Sequence, residues 1–186
     1  MPLMPVAQIL NPAVAMVQLY DNIAAGAIAS WDVQNISQAY NHLKLVFSIR
    51  ESGAAGSDVA TARFNNDSGA NYDYETLNVS NTGGVSQSES LAQTSGRIAP
   101  CPGSTAVANL FAASEAMIPN YAQTVAEKAA FSFGFQKIGT TGASNNVLLN
   151  AYGMGWRSTA AINRITILPA SGNFITGSRF SIYGIL

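Results

Sequence analysis

Apolar and polar side chains alternate with a period of two in four stretches of this sequence. That spacing puts successive side chains on opposite faces of a β-strand, so each stretch predicts a strand with one buried face. We expect the apolar set of each stretch to face a hydrophobic core. The apolar positions are Leu43, Leu45, Phe47 and Ile49; Phe131, Phe133 and Phe135; Ile165 and Ile167; and Phe180 and Ile182.

Weaker strand candidates lie between these stretches. They cover residues 16–20, 27–31, 59–64 and 147–152, and each is ended by Gly, Asn, Asp or Pro. Segments rich in Gly, Ser and Asn separate the strands at residues 51–57, 65–71, 79–90 and 139–146, and we expect these to be loops. This order lacks the strand–helix alternation of a parallel sheet and predicts an antiparallel all-β domain.

Residues 104–117 have the strongest helical pattern in the sequence. Ser104 is a suitable N-cap, and apolar residues follow it at mixed spacings of three and four. A short helix in this segment is as well supported by the sequence as its absence.

The chain has 186 residues, of which 48% are hydrophobic. This is enough for one domain with a core, but too little for separate cofactor and substrate lobes. We predict a single β-sandwich over residues 16–186. Residues 1–15 carry three prolines and no alternation, so we expect an extended N-terminal arm outside the sandwich, able to reach a neighbouring subunit.

Charged residues make up only 10% of the chain, against about 25% in an average soluble domain. Because a surface with few charges resists association poorly, we expect contacts between subunits. Nine Lys and Arg nearly balance ten Asp and Glu, giving a net charge of −1. This balance disfavours a nucleic-acid partner, which requires clustered cations.

Neither a secretory leader nor a membrane span is expected. The first residues lack the basic start and unbroken apolar run of a signal peptide. No other stretch reaches the ~18 apolar residues that cross a bilayer. We therefore expect synthesis in the cytoplasm and no membrane partner.

Oxygen-bearing side chains are concentrated in residues 65–75. Asp67, Asn71 and Asp73 are weak candidates for cation ligands, since several oxygens converge on a bound calcium ion. The spacing does not fit an EF-hand, because Gly69 falls on the fifth position of the loop. The favoured alternative is an Asx-type turn, in which Asp67 and Asn71 hydrogen-bond the backbone and Gly69 takes a positive φ. We expect no cofactor.

Two pairs of residues deserve consideration as catalytic groups. Cys101 with His42 has the chemistry of a nucleophile and base, and Asp73 with Glu75 has that of a glycosidase acid pair. A lone buried cysteine and a solvated loop are the simpler interpretations, and no nucleophile-elbow or phosphate-loop motif is present. With one cysteine and one histidine, disulfide scaffolds and multi-histidine metal sites are excluded. We expect no catalytic residues.

Aromatic residues near the polar loops give one further candidate site. Tyr72, Tyr74 and Trp156 have the composition of a sugar-stacking platform, so they are candidate contacts for a glycan or a protein partner. The favoured alternative places them in the core or in a subunit contact.

Four segments together resemble a group of tailed-bacteriophage virion structural proteins, and their order along the chain agrees. The most specific parts are a Phe-Asn-x-Asp-x-Gly-x-Asn-Tyr loop and a closing Gly-Ser-Arg-Phe-Ser-Ile-Tyr-Gly strand. The resemblance extends over most of residues 16–186. The segments are residues 36–50, 63–74, 156–162 and 172–184.

The resemblance implies a jelly-roll-like β-sandwich that forms homo-oligomers, with no catalytic residues to carry over. It implies a virion protein, and we expect a capsid decoration (cement) protein that binds itself, as a trimer, and the major capsid protein or another virion protein. The alternative is a receptor- or glycan-binding tip of a head or tail fibre. A hydrolase is the third and least supported hypothesis.

Overall fold

The computed structural model describes residues 16–81, 83–139 and 147–186. These residues form β-strands and no helix, which confirms the predicted all-β class. The predicted arm, residues 1–15, lies outside the described residues, as does most of the predicted loop 139–146. The strands are β1 (Met16–Ile23), β2 (Trp31–Val33), β3 (His42–Ile49), β4 (Val59–Phe64), β5 (Tyr72–Ser80), β6 (Val85–Gln93), β7 (Gly96–Pro100), β8 (Ala112–Pro119), β9 (Lys128–Lys137), β10 (Val147–Trp156), β11 (Ile165–Leu168) and β12 (Arg179–Ile185).

The strands of the described chain form two antiparallel sheets. The larger sheet has eight strands in the order β1-β12-β3-β8-β9-β10-β5-β6, and the smaller has four in the order β2-β11-β4-β7. The two sheets enclose a single cluster of buried apolar side chains. The protein is therefore a β-sandwich, as predicted.

Alternation fixes which side of β3 faces this core. Leu43, Leu45, Phe47 and Ile49 are buried, while Lys44, Val46 and Ser48 point away from the small sheet. Phe47 stacks on Phe180 of β12 with ring centroids 5.1 Å apart. Each buried Leu, Ile or Phe of this kind contributes about 1.5–3 kcal/mol relative to an exposed one.

The strand predictions hold with adjusted bounds. The four strongly alternating stretches lie on β3, β9, β11 and β12, and three of the weaker candidates lie on β1, β4 and β10. The fourth, residues 27–31, mostly precedes β2, although Ile28 forms an isolated bridge with Phe174. The loop predicted at residues 79–90 is wrong, because most of it pairs in the β5–β6 hairpin. Strand β6 is a polar edge strand, so it gave no hydrophobic signal.

The helix considered for residues 104–117 does not form. The second half of that segment is β8, and the first half is a series of turns. The buried guanidinium of Arg50 explains the turns, because it uses carbonyl oxygens that an α-helix would need for its own hydrogen bonds. The acceptors are the carbonyls of Ser104, Ala106, Val107 and Leu110.

Candidate functional site: the outer face of the larger sheet

Strand β9 is oriented opposite to the prediction. Phe131, Phe133 and Phe135 point to the outside and are 49%, 61% and 40% exposed, whereas Ser132 and Gln136 are buried. The expectation that these phenylalanines face the core is therefore wrong. We refer to the three as the phenylalanine ridge.

The close approach of β7 explains this orientation. Gly134 of β9 faces inward, and a Cβ there would lie 2.6 Å from the ring of Pro100 in β7. Real Cβ atoms do not approach so closely, so the position of Gly134 admits no larger side chain. A strand turned over to bury the phenylalanines would place one of them in this space, so they point outward.

A strip of small residues lies beside the ridge on the same face. The strip consists of Ala151, Gly153 and Gly155 of β10, and nothing lies within 4 Å of a Cβ built on either glycine. The ladder between the strands puts a phenylalanine level with a small residue at two positions, Phe131 with Gly153 and Phe133 with Ala151. Phe135 is level with Leu149, and Gly155 is level with Ala129.

Aliphatic side chains from the neighbouring strands extend this surface on both sides. Together they line an open groove of about 630 Å³. We refer to the ridge with these residues as the apolar face; the additional members are Val46, Leu77, Val79 and Leu149, which are 37–59% exposed. The three phenylalanines alone leave on the order of 300 Å² uncovered, given ~150–250 Å² per aromatic side chain. With the aliphatic residues, the apolar face reaches several hundred Å², the size at which an exposed apolar patch on a protein is often functional.

The layer beneath the apolar face is polar. Among the described residues, the buried side-chain atoms without a hydrogen-bond partner all lie on β8, β9 and β10. Each such atom costs about 1–3 kcal/mol. The isolated chain thus has apolar side chains outside and unpaired polar atoms inside at the same three strands. The atoms are Ser114 Oγ, Ser132 Oγ, Gln136 Oε1 and the Tyr152 hydroxyl.

The two rims of the apolar face differ in charge. On the β3–β8 side, Lys44 pairs with Glu115 at 2.5 Å. On the β5–β6 side, Glu75 and Glu89 are directly opposite one another, and neither belongs to an ion pair in the described part of the chain. Like charges in such a pair repel, so this rim attracts a cation from outside.

The Asx-type turn predicted for Asp67 is present. Its Oδ1 accepts the Gly69 N–H at 2.8 Å, and its Oδ2 accepts hydrogen bonds from Asn71 at 2.9 Å and from the Trp156 indole at 2.7 Å. Positive φ angles occur at Asn65 and Asn66, not at Gly69 as predicted. The indole, followed by the other donors, lowers the pKa of Asp67.

Asp73, the third weak cation candidate, is held in an ion pair. Its carboxylate accepts two hydrogen bonds from Arg157, at 2.8 and 2.5 Å, and one from the Ala92 N–H at 2.8 Å. The guanidinium lowers the pKa of Asp73 to about 2. Within the described residues no three acidic, histidine or cysteine side chains are grouped to hold a metal.

The aromatic platform predicted from Tyr72, Tyr74 and Trp156 is not exposed. Tyr72 is completely buried and Trp156 is 3% exposed; their rings stack 6.4 Å apart in the core. Tyr74 is half-buried beneath the Arg97 guanidinium, which lies 4.7 Å from its ring centroid. Two of the three residues therefore have no face to offer a glycan, and the core alternative is the one observed.

The two possible catalytic pairs are not assembled. His42 begins β3, whereas Cys101 lies beside the far end of that strand, because the Glu51 N–H donates to the carbonyl of Pro102. A strand of this length separates them by roughly 25 Å. Cys101 is buried, and burial raises the pKa of its thiol. Asp73 and Glu75 share a face, but Arg157 neutralises the first.

The phenylalanine ridge is the candidate functional feature that sequence reasoning missed. Alternation shows that two faces differ but does not show which faces the core. The usable signal was in the intervening residues, since Ser132 and Gly134 fill a closely packed interior without a large side chain.

Comparison with protein-family models, with curated proteins and with solved structures found no similar protein in any of the three. No helix in the described ranges has the length and apolar character to cross a bilayer.

Proposed function

We propose that this chain is a structural protein of a tailed-bacteriophage particle: a homotrimeric capsid decoration protein that binds the major capsid protein and stabilises the head. It acts by protein–protein contact and not by catalysis. The observation that carries the proposal is the apolar face, since exposed patches of this size mark interaction surfaces. Its placement in a virion comes from the sequence resemblance.

The strand pairing supports the jelly-roll form of the sandwich that the resemblance implies. In a jelly roll a long hairpin is rolled up, so that the first strand pairs with the last, the second with the last but one, and so on inward. Here β2 pairs with β11, β3 with β8, β4 with β7 and β5 with β6. The β9–β10 hairpin is an insertion between β8 and β5, and it carries both the ridge and the strip.

A non-catalytic role is supported by the separation of Cys101 from His42 and by the ion pair that occupies Asp73. The fibre-tip alternative relied on Tyr72, Tyr74 and Trp156, and the burial of two of them removes its specific motivation.

The test is to compare purified phage particles with and without this protein. We expect mass spectrometry to detect the chain in the particles, and particles that lack it to release their DNA at a lower temperature. Adding back the purified protein should restore the heat resistance, since a ligand that binds the assembled shell stabilises it by mass action. Absence from particles, or equal heat resistance of both kinds, would contradict the proposal.

A further inference from the structure

We infer that the apolar face is covered by another copy of this chain, with the phenylalanine ridge of each copy seated on the small-residue strip of its neighbour. The inference deepens the proposed function by naming the surface of self-association, and it rests on that function only for the number of copies.

Steric complementarity is the first argument. The ridge projects three aromatic rings from β9, and the adjacent strand recedes at Ala151, Gly153 and Gly155. Open space remains above Gly153 and Gly155, so the rings of the same copy do not fold over them. The ridge and the hollow are level at two positions, so the face is self-complementary over Phe131 and Phe133.

The register specifies how two copies fit. A rotation axis that runs parallel to the strands, above the boundary between β9 and β10, exchanges the two strands without shifting their level. Phe131 of one copy then meets Gly153 of the next, and Phe133 meets Ala151, because these residues are level within one copy. A threefold axis in this direction keeps the same residues level but inclines the two faces at about 60° to one another instead of stacking them, so the pairing by level also holds in the proposed trimer.

The charges at the rims fit the same axis. Lys44, Phe131, Gly153, Glu75 and Glu89 lie at one level across the sheet, since each is connected to the next by the ladder register. The axis therefore brings Lys44 of one copy to the acidic rim of the other. Rim charges of this kind set the register of an interface more than its strength.

The polar layer under β9 is an independent argument for an occupant. The exposed ridge and the unpaired Ser132 and Gln136 atoms both disfavour this orientation of β9 in an isolated chain. Burial of the ridge against a partner offsets that cost at ~25 cal/mol per Å². A neighbour contributing the same apolar face approaches the ~800 Å² per partner of a stable interface.

Self-association is tested first with the full chain in analytical ultracentrifugation over a range of concentrations. Phe133→Ser removes the centre of the ridge, and Gly153→Leu fills the strip at a position where an added Cβ meets nothing within 4 Å in its own copy. We expect each to raise the dissociation constant by about tenfold or more, as loss of a central aromatic contact does. Val125→Ser is the matched control, because Val125 is 83% exposed in the loop between β8 and β9; it should leave association unchanged.

Cross-linking tests the geometry. Lys44 and Glu89 lie five strands apart in one copy, roughly 24 Å, which is too far for a disulfide. Oxidation of the double variant Lys44→Cys/Glu89→Cys should therefore link separate copies, and Val125→Cys should not link under the same conditions.

Several outcomes would overturn the inference. The first is that the wild type is monomeric at high concentration. The second is that Phe133→Ser and Gly153→Leu associate as the wild type does. The third is that association is lost only when apolar residues of the 1–15 segment are replaced by serine. A monomer that nevertheless decorates particles would leave the capsid-decoration role standing, remove the trimer from the proposed function and assign the apolar face to a different virion protein. Self-association without particle binding would support the inference and contradict the proposed function.

Discussion

The indole nitrogen of Trp156 donates a 2.7 Å hydrogen bond to Oδ2 of Asp67. This bond joins the end of β10 to the turn after β4, where Trp156 also packs edge-on against Phe64 at 5.7 Å. The two residues that suggested a cation site and an aromatic platform are thus parts of one structural contact.

Removing this acceptor should destabilise the fold. Asp67→Ala leaves the buried indole N–H unpaired and also removes the acceptor of the turn, so we expect a loss of about 1–3 kcal/mol. Asp67→Asn keeps one oxygen and should lose less. Urea unfolding monitored by tryptophan fluorescence measures both, and an unchanged free energy of unfolding for Asp67→Ala would contradict the structural role.

Arg50 should be intolerant of replacement by lysine. Its guanidinium donates to four backbone carbonyls of the 104–110 turns, and a lysine ammonium lacks the planar fork needed to reach them. We expect Arg50→Lys to cost about 2–4 kcal/mol. Hydrogen exchange should show faster exchange confined at first to these turns. Arg63→Lys, at a more exposed arginine with one carbonyl acceptor, is the matched control.

Gly134 should not accept a side chain. The Cβ of Gly134→Ala meets Pro100 and Ser114 at under 3 Å, and we expect a loss of about 1–3 kcal/mol from overpacking between the sheets. Gly26→Ala is the control, since nothing lies within 4 Å of its Cβ. Equal thermal stability of the two variants would argue against the close approach of β7 to β9.

Two ion pairs should produce acid sensitivity. Hydrogen bonds from Arg179 lower the pKa of Asp21 to about 2, and those from Arg157 do the same for Asp73. A lowered pKa in the folded state gives stability that is present above the unfolded value near 4 and is lost as the pH falls through about 2. Melting temperatures measured from pH 6 to 2 should therefore fall less steeply for Asp21→Asn/Asp73→Asn than for the wild type.

Glu51 should have the opposite effect. Burial, and then the nearby Asp58 carboxylate, raise its pKa, although Ser171 donates to it. The folded state binds the Glu51 carboxyl proton more tightly than the unfolded state does. The protonated carboxyl therefore adds to folding stability below the unfolded pKa near 4, and this added stability is lost as the pH rises through the raised pKa. The stability of Glu51→Gln should not show this decline. Urea unfolding of both proteins at pH values from 4 to 8 gives the free energy of unfolding as a function of pH. The same pH dependence in both proteins would disprove the effect.

The sequence predicted the strands that have a strong apolar alternation and missed those that lack one. Strand β6 is polar on both faces over residues 86–90, and its place in the sheet depends on hydrogen bonding to β5, which no side-chain pattern encodes. The turns at residues 104–111 depend on Arg50, which is more than 50 residues away in the chain. The outward phenylalanine ridge depends on the position of Pro100 in the opposite sheet. Contacts between residues distant in the chain determine all three features, so local propensity could not predict them.

The alkylation rate of the buried Cys101 thiol reports how often the sandwich opens. Because the chain has a single cysteine, any alkylation by a small reagent reports on this one position. With its side chain inaccessible and the thiolate disfavoured by the surroundings, reaction has to wait for the two sheets to separate. The labelling half-life thus gives the frequency of such openings without an added dye or tag, in the free subunit and in any assembly that contains it.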